Sequence, residues 1–184
     1  MTQDEETVIL RPITREDTPL IVRWRNNPAV RANFIFRKTF TDEMHLRWFS
    51  DHIEGARDAV QWIVLAQTAE EKNPRPIGSV YFRDIDRLKG RAEYGVLIGE
   101  DDARGHGYGN EIARLACIRA REELGLRTLI LRVYCDNRPA IRSYEHAGFV
   151  IIQKLPLVRS TDGEEKDMYL MEKTLTQKKE NPDA

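Results

Sequence analysis

Two cysteines in 184 residues are too few for the disulfide framework of a small secreted domain. Cys117 and Cys135 show no metal-type pairing, so both read as reduced thiols, Cys117 within the apolar pattern of a helix. No apolar run approaches the roughly 20 residues that cross a bilayer, and none has the layout of a secretory leader, so a cytoplasmic location is the default expectation. Neither sign of charge is in surplus. The formal net charge of −1 removes the global electrostatic reason to expect nucleic acid or a membrane surface as partner. His45, His52, His106 and His146 fall at no ligand spacing, and no metal is expected. Internal repeats and low-complexity blocks are also lacking. What remains, 41% hydrophobic and 32% charged residues, is ordinary for one globular domain with a proper core.

Glycine is spread thinly except where Gly105, Gly107 and Gly109 alternate with His106 and Tyr108. Tyr94 to Ile98, just before them, is a short apolar run of strand formers. Residues 112–124, just after, carry apolar side chains at helical spacing, so the unit reads strand, glycine turn, helix. Glycines at a helix N-terminus let backbone N–H groups approach a ligand closely, because no Cβ intervenes and first-turn amides lack internal partners. Such a turn is an anion site, best suited to phosphate. Spacing argues against two common phosphate loops. A dinucleotide turn, G-x-G-x-x-G, needs glycine where Asn110 stands, and a P-loop needs a Gly-Lys-Ser/Thr ending that is absent.

The chain around this unit can be read in order. Val8 to Pro12 is a first strand, and Thr14 with Asp17 stands at capping-box spacing for a helix over about 15–25, with Leu20, Ile21 and Trp24 inward. Residues 28–40 have no clean period and fit either a loop closing over a ligand or a packed connector. A second helix from Thr41 to about Ile53 places Leu46, Phe49 and Ile53 on one face. Strands follow at 61–67 and 77–84, joined by a turn over 70–76, and a turn at 88–91 leads into the central strand. Gly125 stops the helix after the glycine turn, and 128–133 is a further strand. A helix over 138–147, opened by Pro139 and stopped by Gly148, precedes strands at 149–157 and 166–174. The order βααβββαβαββ describes a single α/β domain on a mixed sheet over 7–175, with flexible tails at 1–6 and 176–184. The helix after the glycine turn joins two strands that should be parallel, with the ligand at their carboxyl ends.

At the second of those ends stands Val133-Tyr-Cys-Asp-Asn137, then Arg-Pro-Ala140-Ile-Arg-Ser-Tyr144 and Gly148-Phe149. Together with Arg104-x-x-Gly107-x-Gly109, this resembles the GNAT superfamily of acyl-CoA-dependent N-acetyltransferases. Leu10-Arg-Pro, Trp24-Arg-Asn-Asn-Pro and Met171-Glu-Lys-Thr-Leu175 are similar to its branch of ribosomal-protein N-terminal acetyltransferases. Spermidine and nucleotide-amino-sugar N-acetyltransferases resemble the chain similarly.

The resemblance implies a mixed, mostly antiparallel sheet of about seven strands, with the parallel pair splayed to hold acetyl-CoA. Pantetheine would pair with backbone at Leu97 and Ile98. The turn from Gly105 through His106, Gly107 and Tyr108 to Gly109 would hold the pyrophosphate, with Arg104 either adding charge or simply solvated. Asn137 would contact the pantetheine arm, cap the following helix, or both. By position Tyr144 is the proton donor to the leaving thiolate, against a role as core aromatic. Glu93 is the best base, against a strand-edge carboxylate facing solvent. Acceptor contacts fall on Trp24, Arg25, Phe36 and His45. The cations Arg23, Arg25, Arg31, Arg37 and Lys38 favour a nucleotide-linked amino sugar or a protein N-terminal amine over a polyamine. A non-catalytic acyl-CoA-binding protein and a nucleotide-binding oxidoreductase using Asp136 are the rival classes. A homodimer is the open oligomeric expectation.

Overall fold

The computed structural model describes residues 7–67 and 73–175. The expected tails at 1–6 and 176–184, and residues 70–72 of the expected turn, lie outside the described residues. Seven strands, β1 (Thr7–Pro12), β2 (Val60–Gln67), β3 (Arg75–Asp86), β4 (Arg91–Ile98), β5 (Thr128–Tyr134), β6 (Val150–Arg159) and β7 (Glu165–Thr174), form one sheet. Its order is β1-β2-β3-β4-β5-β7-β6. Every neighbouring pair is antiparallel except β4 and β5.

That exception positions the site. β4 and β5 pair only at Arg91↔Thr128, Ala92↔Leu129 and Glu93↔Ile130. Beyond Glu93, β4 goes on pairing with β3 as far as Ile98↔Gly78, and β5 with β7 as far as Tyr134↔Met168. The two parallel strands therefore part company in the middle of the sheet, and a wedge opens between Tyr94–Ile98 and 131–134.

Each face of the sheet carries its own core, as the period of two in a strand requires. Trp62 and Val64 face one way, toward Phe82, Tyr94, Leu129 and the helix α4 (Tyr108–Glu122) through Ile112 and Ala116. Ile63, between them, faces the other way, with Leu97, Phe49 and the helix α1 (Thr18–Asn26) through Ile21 and Trp24. The helix α5 (Arg138–His146) adds Ile141 to the first core. The capping box at Thr14 and Asp17 is present and opens a 3-10 turn that leads into α1. Among the described residues no helix is long and apolar enough to cross a membrane.

Two stretches depart from the sequence reading. A short helix α2 (Pro28–Arg31), capped by Asn27 Oδ1 accepting from Ala29 N at 3.0 Å, interrupts the region expected to be irregular. Further on, α3 (Asp42–Trp48) passes at Phe49 into a π-helical turn over Phe49–Gly55. His45 and Phe49, four residues apart, are buried, while Leu46 is only half-buried.

The segment 32–40 is a connector pinned to the β6–β7 turn. Thr161 N donates to Ile35 O at 2.9 Å, and Arg37 N donates to Thr161 Oγ1 at 2.8 Å. The Arg37 guanidinium, half over the Tyr134 ring at 5.2 Å, is paired with Asp162 and Glu164. At the sheet's outer edge β6 exposes Val150, Ile151 and Ile152. Pro156 and Leu157, the latter at φ 50°, break that edge and blunt its capacity to pair.

Candidate active site

The wedge opens into a cavity of about 900 Å³. Its floor is the parted ends of β4 and β5, one wall is the glycine turn with α5, and its roof is Phe34, Ile35 and Phe36 of the pinned connector. From Glu93 to Ile98 the strand runs roughly 17 Å at ~3.3 Å per residue. The cavity therefore has two separate ends.

At the open end, Gly105 and Gly107 take φ of 82° and 83°, the second being the N-cap residue of α4. A side chain at either position would be strained by that backbone, yet its Cβ would meet nothing within 4 Å. The turn is thus bent to leave space. Among the described residues, the N–H groups of Gly105, His106 and Gly107 find no backbone acceptor. This is the donor set and clearance that a pyrophosphate requires. Gly109 does something different: a Cβ there would lie 2.9 Å from Ser143 Oγ, so this glycine lets α4 approach α5.

Arg104 stands at the cavity wall, with Nε donating to Ile98 O at 3.2 Å and the guanidinium paired with Asp101. Asn137 caps α5 by accepting from Ala140 N at 3.3 Å and donates to Asn33 Oδ1 at 3.0 Å, tying α5 to the connector. Leu97, Ile98 and Tyr108 line the cavity; His106 does not, and its ring lies 6.2 Å from that of Tyr108. Arg142, on α5, lines the same end and escaped the sequence reading, because an exposed helical arginine carries no signal of its own.

At the closed end, Tyr81 of β3 lies across Gly95 of β4: a Cβ at Gly95 would sit 2.1 Å from the phenol ring. Beside it Arg83 Nη2 donates to Glu93 Oε1 at 2.8 Å. Arg132 of β5 grips the same carboxylate as a fork, both bonds 3.1 Å. Glu93 is only 9% exposed. Burial by itself would raise its pKa, but the hydrogen bonds and charges of Arg83 and Arg132 outweigh it and hold the carboxyl below its usual range. A carboxylate so engaged is a poor proton acceptor.

Arg25 completes this end. Its guanidinium lies 3.7 Å from the centre of the Phe34 ring and 5.1 Å from that of Phe40, and it forms no ion pair with a described carboxylate. Phe36, also predicted to line the acceptor region, borders the cavity and accepts weakly from Arg25 through its carbonyl at 3.5 Å. Tyr144, from α5, packs edge-on against Tyr94 at 6.2 Å and Phe149 at 6.0 Å. Burial, with a smaller contribution from Tyr81, pushes its hydroxyl above the ordinary phenol value.

The family model described as acetyltransferase (GNAT) domain matches residues 7–150. The chain belongs to the GNAT acetyltransferase family. Among solved structures, the crystal structure of spermidine N-acetyltransferase from Vibrio cholerae in complex with CoA and spermine superposes on this GNAT domain with a TM-score of 0.81 at 21% identity. The likeness covers 91% of this chain and 95% of that one. A domain from Methanocaldococcus jannaschii gives 0.76 at 25% identity, covering 93% and 100%. By sequence the GNAT domain is 27% identical over 147 residues to the Methanocaldococcus jannaschii protein MJ1062, a match spanning 79% of this chain and 28% of that longer protein.

Two of the residues expected to meet the acceptor do not reach this GNAT cavity. Trp24 is 1% exposed, lies flat on the Gly99 backbone, and donates from Nε1 to Glu100 Oε1 at 2.8 Å. It wedges α1 against the end of β4. His45 is likewise 1% exposed, its Nδ1 2.8 Å from Thr18 Oγ1 and its ring among Phe40, Trp48 and Phe49. Both sit on inward stripes at helical spacing, where packing claims an aromatic first.

The burial of His45 has a measurable effect. It lowers the pKa of the ring, with Asp42 and Asp17 opposing and Arg25 assisting. In the window below about 6.5 the unfolded chain binds the extra proton and the folded one resists it, so stability rises with pH there. Urea denaturation should show stability falling as pH drops from about 6.5 to 5, and His45→Gln should flatten that limb. An unchanged slope in the variant would assign the effect elsewhere.

Proposed function

We propose that this domain transfers the acetyl group of acetyl-CoA to the nitrogen of a primary amine by direct attack. The observation that carries the reading is the wedge between β4 and β5 ending at a glycine turn with open, unstrapped amides. In this reading the amides from Gly105 to Gly109 hold the pyrophosphate, with Arg104 and Arg142 nearby, and the edge of β4 at Leu97 and Ile98 that has parted from β5 receives the pantetheine arm. Acetyl-CoA supplies an activated thioester.

The protein's own groups then have three tasks. A backbone N–H near Ile98 stabilises the oxyanion that forms as the amine lone pair attacks the carbonyl carbon. As the C–S bond breaks, Tyr144 gives its proton to the sulfur. The amine must arrive neutral, and here Glu93 changes part: bound by two arginines, it serves as their counter-ion while water takes the ammonium proton. Three guanidinium groups, of Arg25, Arg83 and Arg132, line this end against the single carboxylate of Glu93, which disfavours the ammonium form and so lowers its pKa in place.

The same charge balance bears on the acceptor. Arg23 is paired with Glu100 and Arg37 with Glu164, which withdraws two of the cations that would have held the diphosphate of a nucleotide-linked amino sugar. A protein N-terminal amine meets no such loss. The polyamine alternative draws support from the spermidine-acetylating structural relative and is opposed by the cationic wall.

Acetyl-CoA-dependent thiol release with a panel of amines tests the reading, a non-catalytic acyl-CoA binder being one that binds CoA and releases nothing. Gly107→Val is expected to weaken CoA binding at least tenfold by calorimetry in a protein that remains folded. A β-branched residue is costly at φ 83° and its methyls enter the ligand's space. Unchanged affinity would remove the pyrophosphate from this turn.

A further inference from the structure

The closed end of the cavity holds more positive charge than its own carboxylate neutralises, and two guanidinium groups there have donors to spare. Arg25 is half-buried and lines the cavity, with aromatic rings on its face but no carboxylate partner among the described residues. Ring contacts recover only part of what an ion loses on leaving water, so a structural role alone leaves this placement under-compensated. Arg83 spends Nη2 on Glu93, while its Nε is buried without a hydrogen bond and 3.9 Å from the exposed Asp84 carboxylate. Between them Tyr81 is laid over Gly95, placing a phenol beside both arginines. Every other charged group facing this spot is committed: Glu93 to two arginines and Arg132 to Glu93.

These donors cannot serve the pyrophosphate, which belongs to the glycine turn at the other end of β4. An anion held at Arg25 and Arg83 therefore comes in with the acceptor. We infer that Arg25, Arg83 and Tyr81 form an anion subsite, and that the acceptor is a small amine bearing its own carboxylate, phosphate or phosphonate. This rests on the acetyltransferase reading above and narrows it. A guanidinium fork matches such oxyanions by paired hydrogen bonds. An acceptor without an anion leaves both arginines desolvated, which is how a polar pocket rejects the analogue that lacks the partner group. A polyamine is the least suited of all.

The test uses matched amines: an α-amino acid, its amide and its decarboxylated amine; 2-aminoethylphosphonate against ethylamine; and spermidine. Thiol release with acetyl-CoA should give kcat/KM at least tenfold higher for each anionic member. Arg25→Gln should bring that ratio near one, mainly through KM, with CoA affinity as the folding control, and Arg25→Lys should restore part of it. A ratio near one in the wild type, a ratio untouched by Arg25→Gln, or spermidine reacting fastest overturns the subsite. If CoA binds and no amine reacts, calorimetric titration of the CoA-loaded protein with the acids and amides decides, and acids binding no more tightly than amides overturn it. Failure to bind CoA overturns the acetyltransferase reading instead; the same titration of the free protein then judges the subsite alone.

Discussion

Tyr144→Phe is expected to lower kcat about a hundredfold, roughly 2.7 kcal/mol of transition-state stabilisation, while the Michaelis constant for acetyl-CoA changes little. In the proposed mechanism the phenol acts only as the C–S bond breaks, so its loss should appear in kcat and in kcat/KM together. Phenylalanine keeps the ring against Tyr94 and Phe149, which separates the proton from the packing. The raised pKa of this hydroxyl works for and against it. It ensures a proton at neutral pH, and it weakens the acid. The same low-polarity surroundings destabilise a thiolate, so donor and acceptor of the proton rise together and remain matched. Steady-state kinetics with the best amine checks this, and full activity in the variant across the pH range would reduce Tyr144 to packing.

Glu93→Ala should cost about 2 to 3 kcal/mol of stability, by leaving Arg83 and Arg132 facing each other across β4 without their shared carboxylate. The cost falls below that of breaking a fully buried pair, roughly 3 to 5 kcal/mol, because both guanidinium groups retain a third or more of their side-chain exposure. At roughly 2 to 4 °C per kcal/mol for a domain of this size, the melting temperature should fall several degrees. Glu93→Gln, which keeps hydrogen-bond acceptors, should lose less and should preserve the shape of the pH–rate profile. A general base would behave otherwise. If Glu93→Gln abolished the acidic limb of the profile without changing stability, the proton-accepting role would return to Glu93.

The unit from β4 through the glycine turn to α4 was legible because its signals are local: an apolar run, alternate glycines, a helical stripe. Asn137 and Pro139 marked the start of α5 in the same way. The π-helical turn at Phe49–Gly55 announces itself by no residue, and on α3 the packing of α1, through Thr18, rather than any local signal sets His45 inward. On α1, Trp24 and Arg25 are neighbours about 100° apart around the axis. One goes to the core and the other to the cavity, and only the packed sheet beneath decides which. Tyr81 and Arg83 fell within an expected strand but were not singled out, because meeting Gly95 and Glu93 depends on the β3–β4 register, which is irregular between Arg83 and Asp86. Arg37, read as a candidate ligand cation, is paired through Nη1 with carboxylates 125 and 127 positions away. Nothing near it in the chain foretells that.

Only three residue pairs of parallel ladder, reinforced by the Arg132–Glu93 fork, join β1–β4 to β5–β7 within the sheet. The sheet is thus two half-sheets joined at one end, linked further by α4 and by the connector pinned to the β6–β7 turn. A ligand bonded to both parted strands would act as a surrogate strand and a cohesive element at once. By mass action a hundredfold excess over its dissociation constant adds about 2.7 kcal/mol to the folded state. Without it, each jaw carries unpaired backbone groups of the kind that recruit strands from other chains. On the acetyltransferase reading that ligand is acetyl-CoA, and saturating CoA should then raise the melting temperature and slow aggregation in the same titration.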